Sequence, residues 1–191
     1  HRGPDQAEFY RGGAVVMGAC GSSLATADGS IVAFSGVLYN AAALARSYTE
    51  TTDPGRLILD MYEARGAELL QALEGQFSLA IYDENKGQAI LARDIFGVSP
   101  LFYSITAAAL VFASEIKAIA KSGEVALSPN IRGLYEGFVY WSTSGGRTVF
   151  EGIHQVPPGC LVTIGRDGEC SVQPFYSYPE IPLQPVEGKA L

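Results

Sequence analysis

The sequence predicts an α+β protein with antiparallel sheets, because short strands follow one another through tight turns and a few helices are grouped between them. Residues 77–82 alternate apolar with small or polar side chains, which is typical of a strand. The turn at 83–87 leads into a second strand at 88–93. Residues 57–73 instead carry apolar side chains at helical spacing, with Gly66 between two groups of them.

The first half of the chain is predicted to hold one further hairpin and one further helix. Residues 14–17 and 31–34 are interpreted as partner strands of the hairpin, with the Asp-Gly turn at 28–29 before the second strand. Residues 41–47 predict a short helix. The Asp-Pro-Gly sequence at 53–55 then interrupts the chain ahead of the longer helix.

The second half continues in the same way. Residues 110–113 predict a strand, residues 116–120 a helix, and residues 130–140 a second helix that follows a proline. Two strands within residues 161–173 are expected to pair across an Arg-Asp-Gly turn. The residues expected in the core of the sheets are Phe77, Leu79, Ile81, Ile90 and Leu101.

Composition changes after Gln173, where four prolines occur within residues 174–191. Such a segment is typical of an extended linker. The sequence therefore predicts a domain over residues 1–173 and a Pro-rich linker over residues 174–191.

Length and charge exclude several classes of protein. A chain of 191 residues with 48% hydrophobic and 17% charged residues suits one globular domain, and no apolar run has the roughly 20 residues of a membrane-spanning helix. The net charge of −7 and the scattered basic residues argue against nucleic-acid binding. Three widely spaced cysteines form neither a metal-ligand pattern nor a disulfide framework, so no metal is predicted and a reducing cytoplasm is favoured.

Several short motifs follow one another along the chain, each occurring once. They are HRGPD at 1–5, FSGVLYN at 34–40, ARD at 92–94 with Gly97 and Pro100-Leu101, FASEIK at 112–117, RTVFEG at 147–152 and PPG at 157–159. In this combination the chain resembles the class II glutamine amidotransferase domain at the front of asparagine synthases. The resemblance implies an N-terminal-nucleophile hydrolase-like sandwich of two antiparallel sheets with helices on the outside.

The resemblance implies that glutamine is hydrolysed to supply ammonia for ATP-dependent amide formation. The family's nucleophile is an N-terminal Cys whose α-amine serves as the base, with a pKa near 8. Since residue 1 is His, no catalytic residue is assigned in this chain and the nucleophile is expected upstream of His1. Cys20 is interpreted as an internal cysteine, because its nitrogen lies in a peptide bond and offers no free amine.

The family's substrate contacts map onto five positions. The oxyanion-hole sequence Asn-Gly-Glu corresponds to Ser35, Gly36 and Val37, and the Arg that holds the glutamine carboxylate corresponds to Gly21. The Asp that holds the substrate ammonium corresponds to Asp53 if the register shifts by one residue. We expect Gly21, Ser35, Gly36 and the turn at 53–55 to converge on one cleft at a sheet edge. We also expect residues 1–191 alone not to hydrolyse glutamine.

These departures leave two further interpretations open. One is a catalytically silent scaffold domain of an ATP-dependent amide-forming synthetase, of the β-lactam synthetase or lasso-peptide cyclase type. The other is a free-standing binding module. The resemblance implies no cofactor in this chain, with ATP and Mg in a synthetase domain outside it. The partners it implies are glutamine and a C-terminal synthetase domain, and assembly as a homodimer is a further expectation.

The remaining motif residues are predicted to be architectural. Arg93 and Asp94 are expected to form an ion pair that fixes the turn through Gly97, with hydrogen bonds either to turn backbone or to one another. His154 is expected in a loop. The aromatic residues of 135–141 are expected to pack in the core.

Overall fold

The computed structural model describes residues 7–13, 15–20 and 23–179, and these contain eleven strands and four α-helices. The strands are β1 (Ala7–Gly12), β2 (Val15–Cys20), β3 (Ser23–Ala27), β4 (Ser30–Leu38), β5 (Gly75–Asp83), β6 (Gln88–Arg93), β7 (Phe102–Ile105), β8 (Leu110–Ala113), β9 (His154–Gln155), β10 (Cys160–Gly165) and β11 (Cys170–Pro174). The helices are α1 (Ala41–Tyr48), α2 (Pro54–Arg65), α3 (Ile116–Lys121) and α4 (Ile131–Tyr140), with a 3₁₀ helix at Gly66–Ala72.

Every strand pair in the described parts of the chain is antiparallel, which confirms the predicted α+β class with antiparallel sheets. Six strands form the large sheet in the order β11-β10-β6-β5-β4-β3. A second sheet has the order β8-β7-β9, and β1 pairs with β2 in a separate ribbon. The layer opposite the helices is therefore divided into two pieces.

The two faces of the large sheet pack against different partners, because successive side chains of a strand point to opposite faces. Phe77, Leu79, Ile81 and Ile90 face the helices and pack with α2 and the 3₁₀ helix. On the other face, residues of β5, β6 and β10 pack with the β7 sheet and with Leu101. All five residues predicted for the core are buried, so that prediction is confirmed.

The predicted hairpin between residues 14–17 and 31–34 is wrong. β2 pairs with β1, while β4 lies between β3 and β5. The Asp-Gly turn at 28–29 does precede β4, but it connects β4 to β3. β3 reads Ser-Leu-Ala-Thr-Ala, whose small side chains give little apolar alternation from which a strand could be predicted.

The predicted helices and the other hairpins are confirmed. β5 pairs with β6 across residues 84–87, and β10 pairs with β11 across residues 166–169. Asp53 caps α2 by accepting a hydrogen bond from the Arg56 N–H at 2.9 Å, and Asn130 caps α4 in the same way. Both helices thus begin where an N-cap side chain satisfies an otherwise unpaired amide.

The chain continues to pack on the domain beyond Gln173. Pro174 ends β11, and the backbone N–H groups of Phe175 and Tyr176 donate to the Gly159 carbonyl. The Tyr178 hydroxyl donates to the Ile95 carbonyl at 2.9 Å. The linker predicted over residues 174–191 lies for the most part outside the described residues, and the domain boundary stays a prediction.

Arg93 holds the turn that follows β6. Its guanidinium donates to the carbonyl oxygens of Ser99 at 2.8 Å, Val156 at 3.2 Å and Gly97. These bonds connect the end of the large sheet to the loop after β9. The predicted hydrogen bonds to turn backbone are confirmed for Arg93.

The Asp94 carboxylate is fully buried and accepts four backbone N–H groups. The donors are Phe77 at 3.2 Å, Phe96 at 3.1 Å, Val98 at 3.1 Å and Ser99 at 3.0 Å. Within this described turn, no ion pair joins Arg93 and Asp94, so the expected ion pair is wrong. Each side chain instead satisfies backbone groups of the turn, as buried charges require.

Asp83 ends β5 in a buried polar cluster. Its carboxylate accepts from the Tyr62 hydroxyl at 2.9 Å and from the Lys86 N–H at 3.0 Å, and it lies 3.0 Å from the Lys86 Nζ. Burial acts to raise the pKa of Asp83, but these bonds outweigh it and leave the pKa below its usual value.

Tyr103 lies in β7 beneath His154, with ring centroids 5.4 Å apart. Burial of the phenol, together with its electrostatic interaction with the Cys170 thiol, raises the pKa of Tyr103 to about 12. His154 belongs to the two-residue strand β9 and pairs with Tyr103, so the prediction of a loop histidine is wrong.

The prediction that the aromatic residues of 135–141 pack in the core is also wrong. Tyr135, Phe138, Tyr140 and Trp141 are exposed, with Trp141 94% accessible. α4 packs through Gly133 and Glu136, which leaves its aromatic side chains on the outer face. Among the described residues, no helix is both long enough and apolar enough to cross a membrane.

Candidate functional site

A cleft of about 540 Å³ opens at the end of the large sheet, between the β1–β2 ribbon and the start of α2. Its lining comes from β1, β3, β4 and α2 and consists of Glu8, Ser23, Leu24, Phe34, Gly36, Asp53 and Pro54. Gly36 and Asp53, which sequence reasoning selected from separate motifs, therefore meet in one cleft.

The backbone at Gly36 can be occupied only by glycine without distortion. Its φ is +137°, and a Cβ atom there would lie 2.0 Å from the Gln76 carbonyl oxygen and 2.8 Å from the Phe77 Cα. Both atoms belong to the neighbouring strand β5, so this contact cannot relax through a side-chain movement. β4 thus passes unusually close to β5 at the point where it borders the cleft.

The backbone N–H of Gly36 points toward the cleft side of β4. Gly36 lies opposite Phe77 in the β4–β5 ladder. The Phe77 N–H donates to the Asp94 carboxylate, and the Phe77 carbonyl accepts from the Asp94 N–H, so both backbone groups of Phe77 face β6. The pair is therefore a non-hydrogen-bonded one, in which both residues direct their backbone groups away from each other. On the far side of β4 the described ladder with β3 reaches only to Phe34.

Asp53 is fixed in the cleft by Ser23. The Ser23 hydroxyl lies 2.8 and 2.9 Å from the two carboxylate oxygens of Asp53, and it accepts from the Gly55 N–H at 3.0 Å. One Asp53 oxygen also accepts from the Arg56 N–H. These contacts join β3 to the first turn of α2, and the carboxylate keeps lone pairs that can accept further donors from the cleft.

The cleft is acidic in its described part, because Glu8 and Asp53 are the charged side chains that line it. The cation closest in sequence, Arg56, is turned along α2 and binds Asp60 at 2.8 Å. Two carboxylates around an open cleft favour a ligand with an ammonium group. In the described residues no cluster of His, Cys, Asp or Glu is arranged to hold a metal ion.

The other predicted site residues do not all line this cleft. Ser35 lines an adjoining pocket with Ser78 and Cys20, and Phe34 borders both spaces. Val37 is exposed and lies outside both linings. Gly21 lies outside the described residues, so its placement stays a prediction.

Sequence reasoning did not select Glu8 or Ser23. Ser23 is 30 residues from its partner Asp53, and nothing in its local sequence distinguishes it from other strand serines. Glu8 lies in β1, a strand that was not predicted. The signal for Asp53 was visible, since Asp before Pro-Gly is typical of an N-cap at the start of a helix.

Comparisons with known proteins agree with the sequence motifs. The profile of the family described as "Glutamine amidotransferase domain" matches residues 1–176. Asparagine synthetase (glutamine-hydrolyzing) 2 of Bacillus subtilis is 41% identical over 97 residues, covering 48% of this chain and 13% of that protein. Asparagine synthetase (glutamine-hydrolyzing) 3 of the same organism is 31% identical over 148 residues, covering 74% of this chain and 24% of that protein. The chain thus spans a quarter or less of these relatives.

A solved structure shares the fold. The glutamine phosphoribosylpyrophosphate amidotransferase of Bacillus subtilis superposes with a TM-score of 0.50 at 19% identity, covering 80% of this chain and 31% of that one. This likeness concerns the fold alone, and it confirms the N-terminal-nucleophile hydrolase architecture.

Proposed function

The chain belongs to the glutamine amidotransferase domain family, and on this premise we propose that its cleft binds glutamine, which the parent protein hydrolyses to glutamate and ammonia. The observation that carries the proposal is the meeting of Gly36 and Asp53 in one cleft. The two residues come from motifs that are separate in sequence. Gly36 matches a substrate contact implied by the resemblance, and Asp53 matches one if the register shifts by one residue.

The cleft offers groups for both ends of the substrate. Asp53, held by Ser23, and Glu8, which also lines the cleft, supply carboxylates for the α-ammonium group. The Gly36 N–H is placed to donate to the side-chain carbonyl oxygen of glutamine as negative charge develops on it. The carboxylate of glutamine would need a donor from residues outside the described lining, and Gly21 supplies no side chain for that purpose.

The nucleophile comes, in this proposal, from an N-terminal Cys upstream of His1. Its thiolate attacks the amide carbon, a tetrahedral oxyanion forms, and the C–N bond breaks as the nitrogen takes a proton and leaves as ammonia. Water then hydrolyses the thioester to glutamate and regenerates the thiol. The α-amine of that Cys carries the proton between these steps.

The ammonia is used, we propose, by a synthetase domain of the same protein. The two Bacillus subtilis relatives are named as glutamine-hydrolyzing asparagine synthetases, and each is several times longer than the matched segment. ATP and Mg would bind in that further domain, and the cytoplasm is the compartment that we propose for the reaction. Assembly as a homodimer is also kept as a proposal.

The test is glutamate release from glutamine by the full-length protein and its variants. Asp53→Asn and Glu8→Gln each remove one negative charge from the cleft, and we expect KM for glutamine to rise about 10-fold or more, since a hydrogen-bonded charge contributes about 1.5–3 kcal/mol. Glu63→Gln removes an exposed carboxylate from α2 outside the cleft lining and serves as the matched control. Unchanged KM in both cleft variants would contradict the assignment of the site.

The silent-scaffold interpretation is the second candidate, and the placement of Val37 favours it. Val37 is 60% exposed where the resemblance implies a substrate-binding carboxylate, and Ser35 faces the adjoining pocket. For a silent domain, the full-length protein would turn over ATP with ammonia and would release no glutamate from glutamine. Measuring both activities in one preparation separates the two proposals.

A further inference from the structure

Phe77 stays paired beyond the point where β6 ends. β6 ends at Arg93, which lies opposite Ser78 in the ladder with β5. At the next position the Asp94 N–H donates to the Phe77 carbonyl at 3.0 Å, as it would in a continued strand. The reciprocal bond differs, because the Phe77 N–H donates to the Asp94 carboxylate at 3.2 Å and not to a backbone carbonyl. The side chain of Asp94 thus takes the place of the backbone carbonyl that a continued strand would supply.

The backbone carbonyl of Asp94 does not serve Phe77 because it is bonded to two loop glycines. It accepts from the Gly97 N–H at 2.9 Å and from the Gly159 N–H at 3.0 Å. The carboxylate itself is fully buried and is fixed by its bonds to amides of the 94–99 turn. Asp94 is therefore held by the loops on the β6 side, and through its side chain it holds Phe77.

Phe77 carries this fixed position to the cleft in two ways. It lies opposite Gly36 in the β4–β5 ladder, and a Cβ atom at Gly36 would lie 2.8 Å from the Phe77 Cα, so the two main chains are in close contact. Its ring also stacks on that of Phe34, with centroids 6.1 Å apart, and Phe34 lines the cleft. Close-packed interiors transmit strain because they compress little, so a shift of Phe77 moves both Gly36 and Phe34.

We propose that Asp94 is a positioning residue for glutamine hydrolysis, which acts by fixing Phe77 and, through it, the backbone N–H of Gly36. This inference rests on the proposed function, in which that N–H donates to the oxyanion. An oxyanion donor must lie about 2.7–3.1 Å from the developing charge, and a misplacement of about 1 Å costs about 100-fold in rate. Asp94 is not among the described residues that line the cleft, so its effect on the reaction passes through β5.

Arg93 offers a matched control because its side chain anchors the same turn without a bond to β5. Its guanidinium donates to three backbone carbonyls, which belong to Gly97, Ser99 and Val156. Among the described residues, these carbonyls are its hydrogen-bond partners. Removing the guanidinium weakens the turn and leaves the bond from the Asp94 carboxylate to β5 in place. The two neighbouring side chains therefore separate a loss of stability from a loss of position.

The first test is the steady-state kinetics of glutamate release by the full-length protein. We expect Asp94→Ala to lower kcat about 100-fold, which is the effect of losing one oxyanion donor, and to leave KM for glutamine within about 2-fold. Arg93→Met should keep kcat within about 3-fold of the wild type, even where its melting temperature falls as much. A kcat that is unchanged in Asp94→Ala, or that falls equally in both variants, overturns the proposal.

Asp94→Asn decides the question if Asp94→Ala does not fold. Asparagine keeps the shape of the side chain and one acceptor oxygen, so it retains part of the turn, but its NH₂ group faces amides that need an acceptor. We expect kcat to fall at least about 10-fold while KM for glutamine stays within about 2-fold. Circular dichroism at the assay temperature shows whether the variant is folded, and an unchanged kcat in the folded variant overturns the proposal.

Amide hydrogen exchange separates this inference from the proposed function, because it reports on β4 without any turnover. We expect the peptide covering residues 34–40 of the full-length protein to exchange at least about 10-fold faster in Asp94→Asn than in Arg93→Met or the wild type. A wild-type protein that releases no glutamate contradicts the proposed function and the inference that rests on it. Wild-type activity together with equal exchange, or with unchanged kcat in the Asp94 variants, overturns this inference alone.

Discussion

Replacing Gly36 by alanine tests the close approach of β4 and β5 that shapes the cleft. A Cβ atom at this position would lie 2.0 Å from the Gln76 carbonyl oxygen, and the φ of +137° is unfavourable for any residue with a side chain. The backbone conformation costs about 1–3 kcal/mol and the overpacking a similar amount. We therefore expect Gly36→Ala to lower the free energy of unfolding by about 2–6 kcal/mol.

The assay is urea denaturation followed by circular dichroism, with the melting temperature as a second readout. For a domain of this size the loss corresponds to a shift of about 5–20 °C. Gly137→Ala is the matched control, because Gly137 lies in α4 with nothing near its Cβ position, and alanine there should raise stability by up to about 1 kcal/mol. A loss smaller than about 1 kcal/mol for Gly36→Ala would refute the reasoning.

The remaining predictions concern buried polar groups. Asp94→Ala leaves four backbone amides without an acceptor, three in its own turn and that of Phe77 in β5. Urea denaturation should therefore show a loss of about 3–5 kcal/mol, whereas Asp167→Ala in the exposed β10–β11 turn should lose far less. The lowered pKa of Asp83 stabilises the fold above its unfolded value of about 3.8, and this contribution is lost as the pH falls through the lower folded pKa. Asp83→Asn should therefore cost more stability at pH 6 than at pH 2, and an equal loss at both would contradict the cause given. Ultraviolet titration should show a tyrosine with a pKa of about 12 that disappears in Tyr103→Phe, and an unchanged titration would refute this assignment.

The sequence was informative wherever local chemistry decides the structure. Alternation in β5 and β6, the turn residues between them and the Asp-Pro-Gly helix start all depend on neighbours a few residues apart. The predicted pairing of β2 with β4 was wrong, because strand pairing depends on contacts across the whole sheet and not on the local sequence. The exposure of Trp141 could not be predicted from its residue type, because an apolar side chain does not by itself determine which face of a helix packs against the domain.

The candidate site was predicted only in part, for a related reason. Gly36 and Asp53 were found through motifs, and their meeting depends on how β4 and α2 pack at one sheet end. Ser23 and Glu8 enter the cleft through β3 and β1, whose sequences gave no strand prediction. Residues that act through tertiary contacts alone leave no local signal in a single sequence.

The most direct test of the central claim is calorimetric titration of the full-length protein with L-glutamine and with N-acetyl-L-glutamine. The acetyl group removes the positive charge that Asp53 and Glu8 are proposed to bind, while it leaves the side-chain amide intact. We predict saturable binding of glutamine and binding of the acetylated compound that is at least about 10-fold weaker. Equal affinity for the two compounds, or no binding of glutamine, would contradict the account.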